Sequence, residues 1–442
     1  MNKIVISGIQ QLGIGVKNVA EAWKWYRKYL GMDIKVFEES ATASLMLPYT
    51  GGMPQKRHAV LALNLNGGGG FEIWQYTDRI PQPANFIPAL GDLGIFAAKI
   101  KARDVKKTHE WFTSEKLIVS PVVSDPDGRS HFFLTDPYGN IFQVIESQNW
   151  FGNEKKHTGS VYGVVIGVTN IEESMKVYSG ILGYDKVVFD KKGTFPDLVS
   201  LNGGDATFRR VLLKNSKPRL GAFARMFGDS EIELVQVEGR TPRKIYEGRF
   251  WGDLGFIHLC YDIQGMEALN NACRESGFPF TVDSFAHHDG NSFDMGEAAG
   301  HFSYIEDPDG TLIEFVETHK VPILKKFGWY LNLRKRNPEK HLPDWITHQA
   351  QVGATGAEGI HRAPGKIGEW RRRDGAHATQ THGGVQGVRH QRPEVAHAQR
   401  CGHGVVEPAR RGVEVRVRGY HGHLLLGSAQ HKRACCAGIA HR

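Results

Sequence analysis

The stretch Gly252–Glu317 opens GDLGFIHLCYDI at residues 252–263 and closes YIEDPDGTLIEFVE at residues 304–317. The first piece alternates as a half-buried strand does, which puts Phe256, His258 and Cys260 on one face. The second piece turns at Asp307-Pro308-Asp309-Gly310, where proline presets φ and glycine accepts a positive φ. It then leaves as a strand with Leu312, Glu314 and Val316 on one face. An imidazole and a carboxylate held on rigid neighbouring strands suit a divalent metal ion. Taken alone, an edge histidine and a solvated glutamate account for the same letters.

The stretch has a cousin. GDLGIFAAKI at 91–100 repeats GDLGFIHLCY at 252–261, and TDPYGNIFQVIE at 135–146 repeats EDPDGTLIEFVE at 306–317. A second pair of repeats lies upstream of each. IGVKNVAEAWKWYRKYLGM at 14–32 matches IGVTNIEESMKVYSGILGY at 166–184, and FEIWQY at 71–76 matches IELVQV at 232–237. Asn18 with Glu21, and Asn170 with Glu173, stand as helix-capping boxes, and Leu-Gly stops each helix. Repeats at this spacing mean one supersecondary unit used several times. The chain reads as four β-α-β-β-β modules in two tandem pairs.

These motifs resemble the vicinal oxygen chelate superfamily, which includes glyoxalase I, bleomycin-resistance proteins and extradiol dioxygenases. The resemblance covers roughly residues 4 to 318. It implies an α+β fold in which four βαβββ modules form two tandem cupped-sheet domains, 1–150 and 160–318, joined by the polar linker 155–159. A packed extension, 319–348, and a Gly/Ala/Arg/His-rich tail, 349–442, follow. In that family the metal ligands come from the first and last strand of each module. The corresponding positions are Gln11 and Glu72, Ala97 and Gln143, Gly163 and Glu233, and His258 and Glu314.

Alanine cannot bind a metal and a neutral amide binds weakly, so domain 1–150 is expected to lack one. Domain 160–318 is expected to hold a divalent ion on Glu233, His258 and Glu314, with the place of Gly163 left to water or substrate. Zinc, nickel, manganese, cobalt and iron are not distinguished. Glu233 doubles as the expected general base. Tyr304 stands where the extradiol dioxygenases carry an active-site tyrosine, though a core tyrosine fits the same place. His301 is a candidate for substrate contact, while His287 and His288 read as loop histidines. One of Arg209 and Arg210 must face the cup if FRRVLL is a strand.

The expected activity is that of a metal-dependent glyoxalase-type lyase or isomerase acting on a small oxygenated substrate, the ion serving as Lewis acid. The alternatives are a dioxygenase of the same superfamily and a metal-free small-molecule binding or resistance protein.

Composition sets the outer bounds. The 442 residues suit two domains with a large core. No apolar run is long enough to span a bilayer, and MNKIVISGIQQLGIGV reads as a first strand rather than a signal peptide. The five cysteines form no CxxC or secretory framework, which points to a reducing cytoplasm. The net charge of +8 belongs to the tail, which has fifteen Lys plus Arg against six Asp plus Glu; the remainder has 40 basic and 41 acidic residues. The tail also holds ten of the 21 histidines and none of the 23 phenylalanines. Such a stretch buries too little apolar surface to order itself. Arg371-Arg372-Arg373 has no supporting spacing, so nucleic acid is not an expected partner. A small molecule is expected, and oligomerisation is left open.

Overall fold

The computed structural model describes residues 3–287, 293–295, 298–324 and 329–347. His288 and the tail from 349 lie outside them. Module one comprises β1 (Val5–Gly15), α1 (Val19–Tyr29), β2 (Ile34–Ala43), β3 (Gln55–Leu63) and β4 (Gly70–Tyr76). Module two comprises β5 (Gly94–Ala102), α2 (Val105–Ser114), the short β6 (Ile118–Val119) and β7 (Val123–Ser124), β8 (Ser130–Thr135) and β9 (Ile141–Glu146). Module three comprises β10 (Thr158–Gly167), α3 (Ile171–Met175) running into a wider turn at Lys176–Ile181, β11 (Lys186–Gly193), β12 (Phe208–Lys214), α4 (Ala224–Phe227) and β13 (Glu231–Val237). Module four comprises β14 (Gly255–Gln264), α5 (Met266–Glu275), β15 (Val282–Asp283), α6 (Ser284–His287), β16 (Phe293–Met295), β17 (Ala298–Glu306) and β18 (Leu312–Leu324), with β19 (Trp329–Asn332) beyond.

The helix starts follow their sequence. Asn18 accepts the Glu21 amide and Asn170 accepts the Glu173 amide, which satisfies a free N–H at each N-terminus. The DP-x-G turns are tied by their aspartates. Asp136 Oδ1 accepts the amides of Tyr138 and Asn140, and Asp307 Oδ1 accepts those of Asp309 and Thr311. Gly139 and Gly310 take φ of 88° and 93°, the left-handed conformation that the turns require.

The α+β class with four βαβββ modules in two curled sheets is as the resemblance implies. The pairing of modules differs from the expected boundaries 1–150 and 160–318. One sheet runs β15-β17-β18-β14-β1-β4-β3-β2, which joins module four to module one. The other runs β11-β12-β13-β10-β5-β9-β8-β6, which joins module three to module two. The junctions are antiparallel, β1 on β14 and β10 on β5. The physical reason is that every module exposes the edge of its first strand, and all four edges can pair with one another. Sequence repeats mark the modules without saying which edge meets which.

Consecutive modules are joined by their helices instead. Tyr29 of α1 packs on Trp111 and Phe112 of α2, with Lys28 paired to Glu115. Tyr26 of α1 donates to Asp136, and Tyr178 donates to Asp307. The helices and the convex sheet faces share one apolar core that includes Leu12, Tyr26, Phe71, Phe142, Ile166 and Phe315.

The extension packs on this body. Leu333, Leu342 and Ile346 cluster with Ala222, and the Leu342 amide donates to the Ala222 carbonyl at 2.8 Å. Among the described residues no helix is long and apolar enough to cross a membrane.

Candidate metal centre

Four side chains meet in the cup formed by modules one and four. Gln11 comes from β1, Glu72 from β4, His258 from β14 and Glu314 from β18. Ligand atoms of Glu72, His258 and Glu314 lie within 4.8 Å of one another, and all three residues are buried. His258 Nε2 is 3.0 Å from Glu314 Oε2 and 3.5 Å from Glu72 Oε2. Gln11 Nε2 donates to both carboxylates at 3.4 Å. The backbone makes room for this: a Cβ at Gly13, which faces His258 across the β1–β14 junction, would come within 2.4 Å of the imidazole.

The imidazole is fixed by its neighbours. Trp251 stacks on it with ring centres 6.0 Å apart, and Tyr304 meets it edge-on at 5.5 Å. His258 Nδ1 and Gln11 Oε1 have no hydrogen-bond partner among the described residues. Buried polar atoms normally find a partner, so two carboxylates closing on one imidazole nitrogen beside an unbonded amide oxygen fit a bound cation.

The electrostatics of the group divide its carboxylates. Burial pushes the Glu72 carboxyl up, and the charge of Glu314 pushes it further. Burial alone would raise Glu314 too, but the His258 imidazole and the Tyr304 hydroxyl hold it below the usual range. Burial alone would lower His258, yet Glu314 and then Glu72 raise it.

Of the expected trio, His258 and Glu314 come together and Glu233 does not join them. Glu233 lies on β13 in the other sheet. It accepts from Lys99 Nζ at 2.7 Å and from Arg210 Nε at 2.8 Å. Burial alone would raise its carboxyl, but Arg210 and Lys99 hold it well below the usual range. The expected trio takes modules three and four to share a cup, whereas strand pairing joins module four to module one. Glu72 and Gln11, at ligand positions legible in the sequence, join His258 and Glu314 through that pairing.

The cup of modules two and three is filled by ion pairs. Lys99 also donates to Glu231 at 2.7 Å, Arg129 donates to Glu231 at 2.8 Å, and Arg210 donates to Asp197 at 2.9 Å. The free space there is about 10 Å³. Gly163 sits where β10 and β13 touch, and a Cβ would come within 1.8 Å of the Glu231 carbonyl oxygen. Arg210 is the arginine that faces this cup, while Arg209 faces outward to Asp190 and Glu172.

Tyr304 lies at the wall of the first cup. His301 points the other way: three residues earlier on β17, it packs against Phe285 and His319 on the opposite face. Burial and then His319 lower its pKa. Its candidacy as a contact in this cup is therefore withdrawn. His287 closes α6.

Residues 8–144 match the family model described as Glyoxalase/Bleomycin resistance protein/Dioxygenase superfamily. A comparison with curated proteins gives no match. Among solved structures, glyoxalase I from Zea mays aligns at 15% identity over 70% of this chain and 92% of its own, with a TM-score of 0.42. The Mn(II)-bound glyoxalase from Novosphingobium aromaticivorans aligns at 14% over 77% and 89%, with a TM-score of 0.23. The 2,3-dioxygenase from Pseudomonas sp. KL28 aligns at 13% over 76% and 98%, with a TM-score of 0.23. The matched span, residues 8–144, covers the first module and the second, and the same βαβββ module recurs twice more as far as Leu324.

Proposed function

We propose that this protein is a metal-dependent lyase or isomerase of the glyoxalase type, with its one working centre in the cup of modules one and four. The observation that carries the reading is the buried convergence of Glu72, His258 and Glu314 within 4.8 Å, with Gln11 bonded to both carboxylates. These four side chains would hold a divalent ion. The chemistry such an ion supplies when bound is Lewis acidity toward adjacent substrate oxygens. A donor set of two carboxylates, one amide and one imidazole is oxygen-rich. It differs from the two-histidine, one-carboxylate set of non-haem iron oxygenases, and this favours chemistry without redox.

The chain's own residues divide the remaining work. Glu72, which faces the cavity beside Gln11, is placed to take a proton from a carbon next to a carbonyl. It can return that proton to the neighbouring carbon, which completes an isomerisation. Glu314 stays ionised beside His258 and Tyr304 and fixes the charge of the centre. Trp251 and Tyr304 hold the imidazole in place. Mostly apolar side chains line the cavity beside the centre.

Benzoin, an α-hydroxyketone, tests the reading. Mass spectrometry follows exchange of its carbinol hydrogen in deuterated water, with zinc supplied. Exchange by the wild type in the absence of dioxygen, lost in His258→Ala, is the expected result. A strict requirement for iron and dioxygen would overturn the reading.

A further inference from the structure

Above the centre lies a cavity of about 390 Å³, which is within the range of small-molecule sites. Gln11, Glu72 and Glu314 occupy one end. The rest is apolar. Val36 and Leu63 come from module one, Phe302 from module four, and Phe223, Met226 and Phe227 from the segment at α4 of module three, which reaches across from the other sheet. Charged residues on the wall are Glu39, Arg57, Glu72 and Glu314. Arg57 is the one cation among the described lining residues, and it is already paired with Glu39.

From this lining we infer that the site takes an uncharged, largely apolar molecule that presents two adjacent oxygens at one end. The inference rests on the metal-dependent reading for the oxygens and on the cavity alone for the rest. A carboxylate or phosphate placed away from the centre would meet mostly apolar side chains, Glu39, and the Arg57 guanidinium that Glu39 already pairs, of which Nη1 alone has no partner among the described residues. An anion buried among apolar side chains, beside a carboxylate that already holds the guanidinium, is strongly disfavoured. An apolar body, in contrast, gains from every part it removes from water. The α4 segment sets the shape of this body, because its side chains close the wall that the two strands leave open.

The test uses the full chain with one equivalent of zinc, and again after the metal is stripped. Displacement of the neutral dye N-phenyl-naphthylamine reads the binding of benzoin and of a benzoin with a carboxylate on each ring. Benzoin should bind at least about tenfold more tightly than the dicarboxylate, a clear free-energy difference. Val36→Glu should weaken benzoin by about tenfold, since it places a charge at the mouth of an apolar site. Val36 is 41% exposed, so this variant keeps its fold. Met226→Glu tests the α4 wall in the same way. Equal or tighter binding of the dicarboxylate overturns the inference, as does benzoin binding unchanged in both variants. A preference for benzoin that survives metal removal supports it even if zinc adds nothing, an outcome that would count against the metal reading alone.

Discussion

Tyr26 donates its hydroxyl hydrogen to Asp136 Oδ2 at 2.7 Å, and the bond is buried. It ties the helix of module one to the last turn of module two, and Tyr178 makes the same bond to Asp307 at 2.9 Å. Helix packing therefore joins neighbours in sequence, while strand pairing joins module one to four and two to three. Tyr26→Phe removes one partner of a buried carboxylate that Asn140 still serves. The expected loss is about 1–3 kcal/mol of stability, measured by urea unfolding. An unchanged unfolding midpoint would show that the bond is dispensable.

Lys99 stands at the middle of the second cup, 2.7 Å from Glu231 and from Glu233. Burial alone would raise Glu231, yet Lys99 and Arg129 hold it down to about 2. A carboxyl lowered in the folded state stabilises the protein above its unfolded pKa and loses that contribution as pH falls through the folded value. Lys99→Met should cost about 3–5 kcal/mol at neutral pH, the effect of breaking a buried ion pair. The deficit should narrow as pH falls from about 4.5 to about 2. A deficit that is constant over this range would mean that packing, not charge, is what the lysine supplies.

Asp262 sits on β14 between Gly8 of β1 and Val316 of β18. Burial pushes its carboxyl up to about 8, against a smaller downward pull from Ser7. The folded state therefore holds a proton that the unfolded chain releases near pH 4, and stability drains as pH rises from there to about 8. Asp262→Asn should be more stable than the wild type at pH 7, with a gain that grows across that interval and levels above it. Thermal unfolding at several pH values checks this; a variant less stable at pH 7 would contradict it.

Much of this was legible in the sequence. The repeated GDLG strand starts and DP-x-G turns marked four modules, and Asn18 and Asn170 marked the helix starts, because local turn and cap chemistry leaves fixed letters. Period two put His258 and Glu314 on usable faces. The partner of each module was not legible, since four similar strand edges carry no address. That gap displaced the site by one module and put Glu233 in the place of Glu72. A signal was present all the same. Gln11 with Glu72 and His258 with Glu314 make a complete ligand set, while Ala97, Gln143 and Gly163 leave Glu233 without company. Lys99, two residues from Ala97 on the same strand face, marked the second cup as one that holds its own cation.

The central claim is that one metal centre is assembled from the first and fourth modules. Ions per chain, counted in the purified wild type and in Glu72→Ala, test it most directly. Glu72 lies far from module three in sequence and touches none of the ion pairs around Glu233, so its loss spares the second cup. One divalent ion per chain in the wild type, and none retained by Glu72→Ala after dialysis, is the predicted result. Full occupancy in Glu72→Ala would contradict the account.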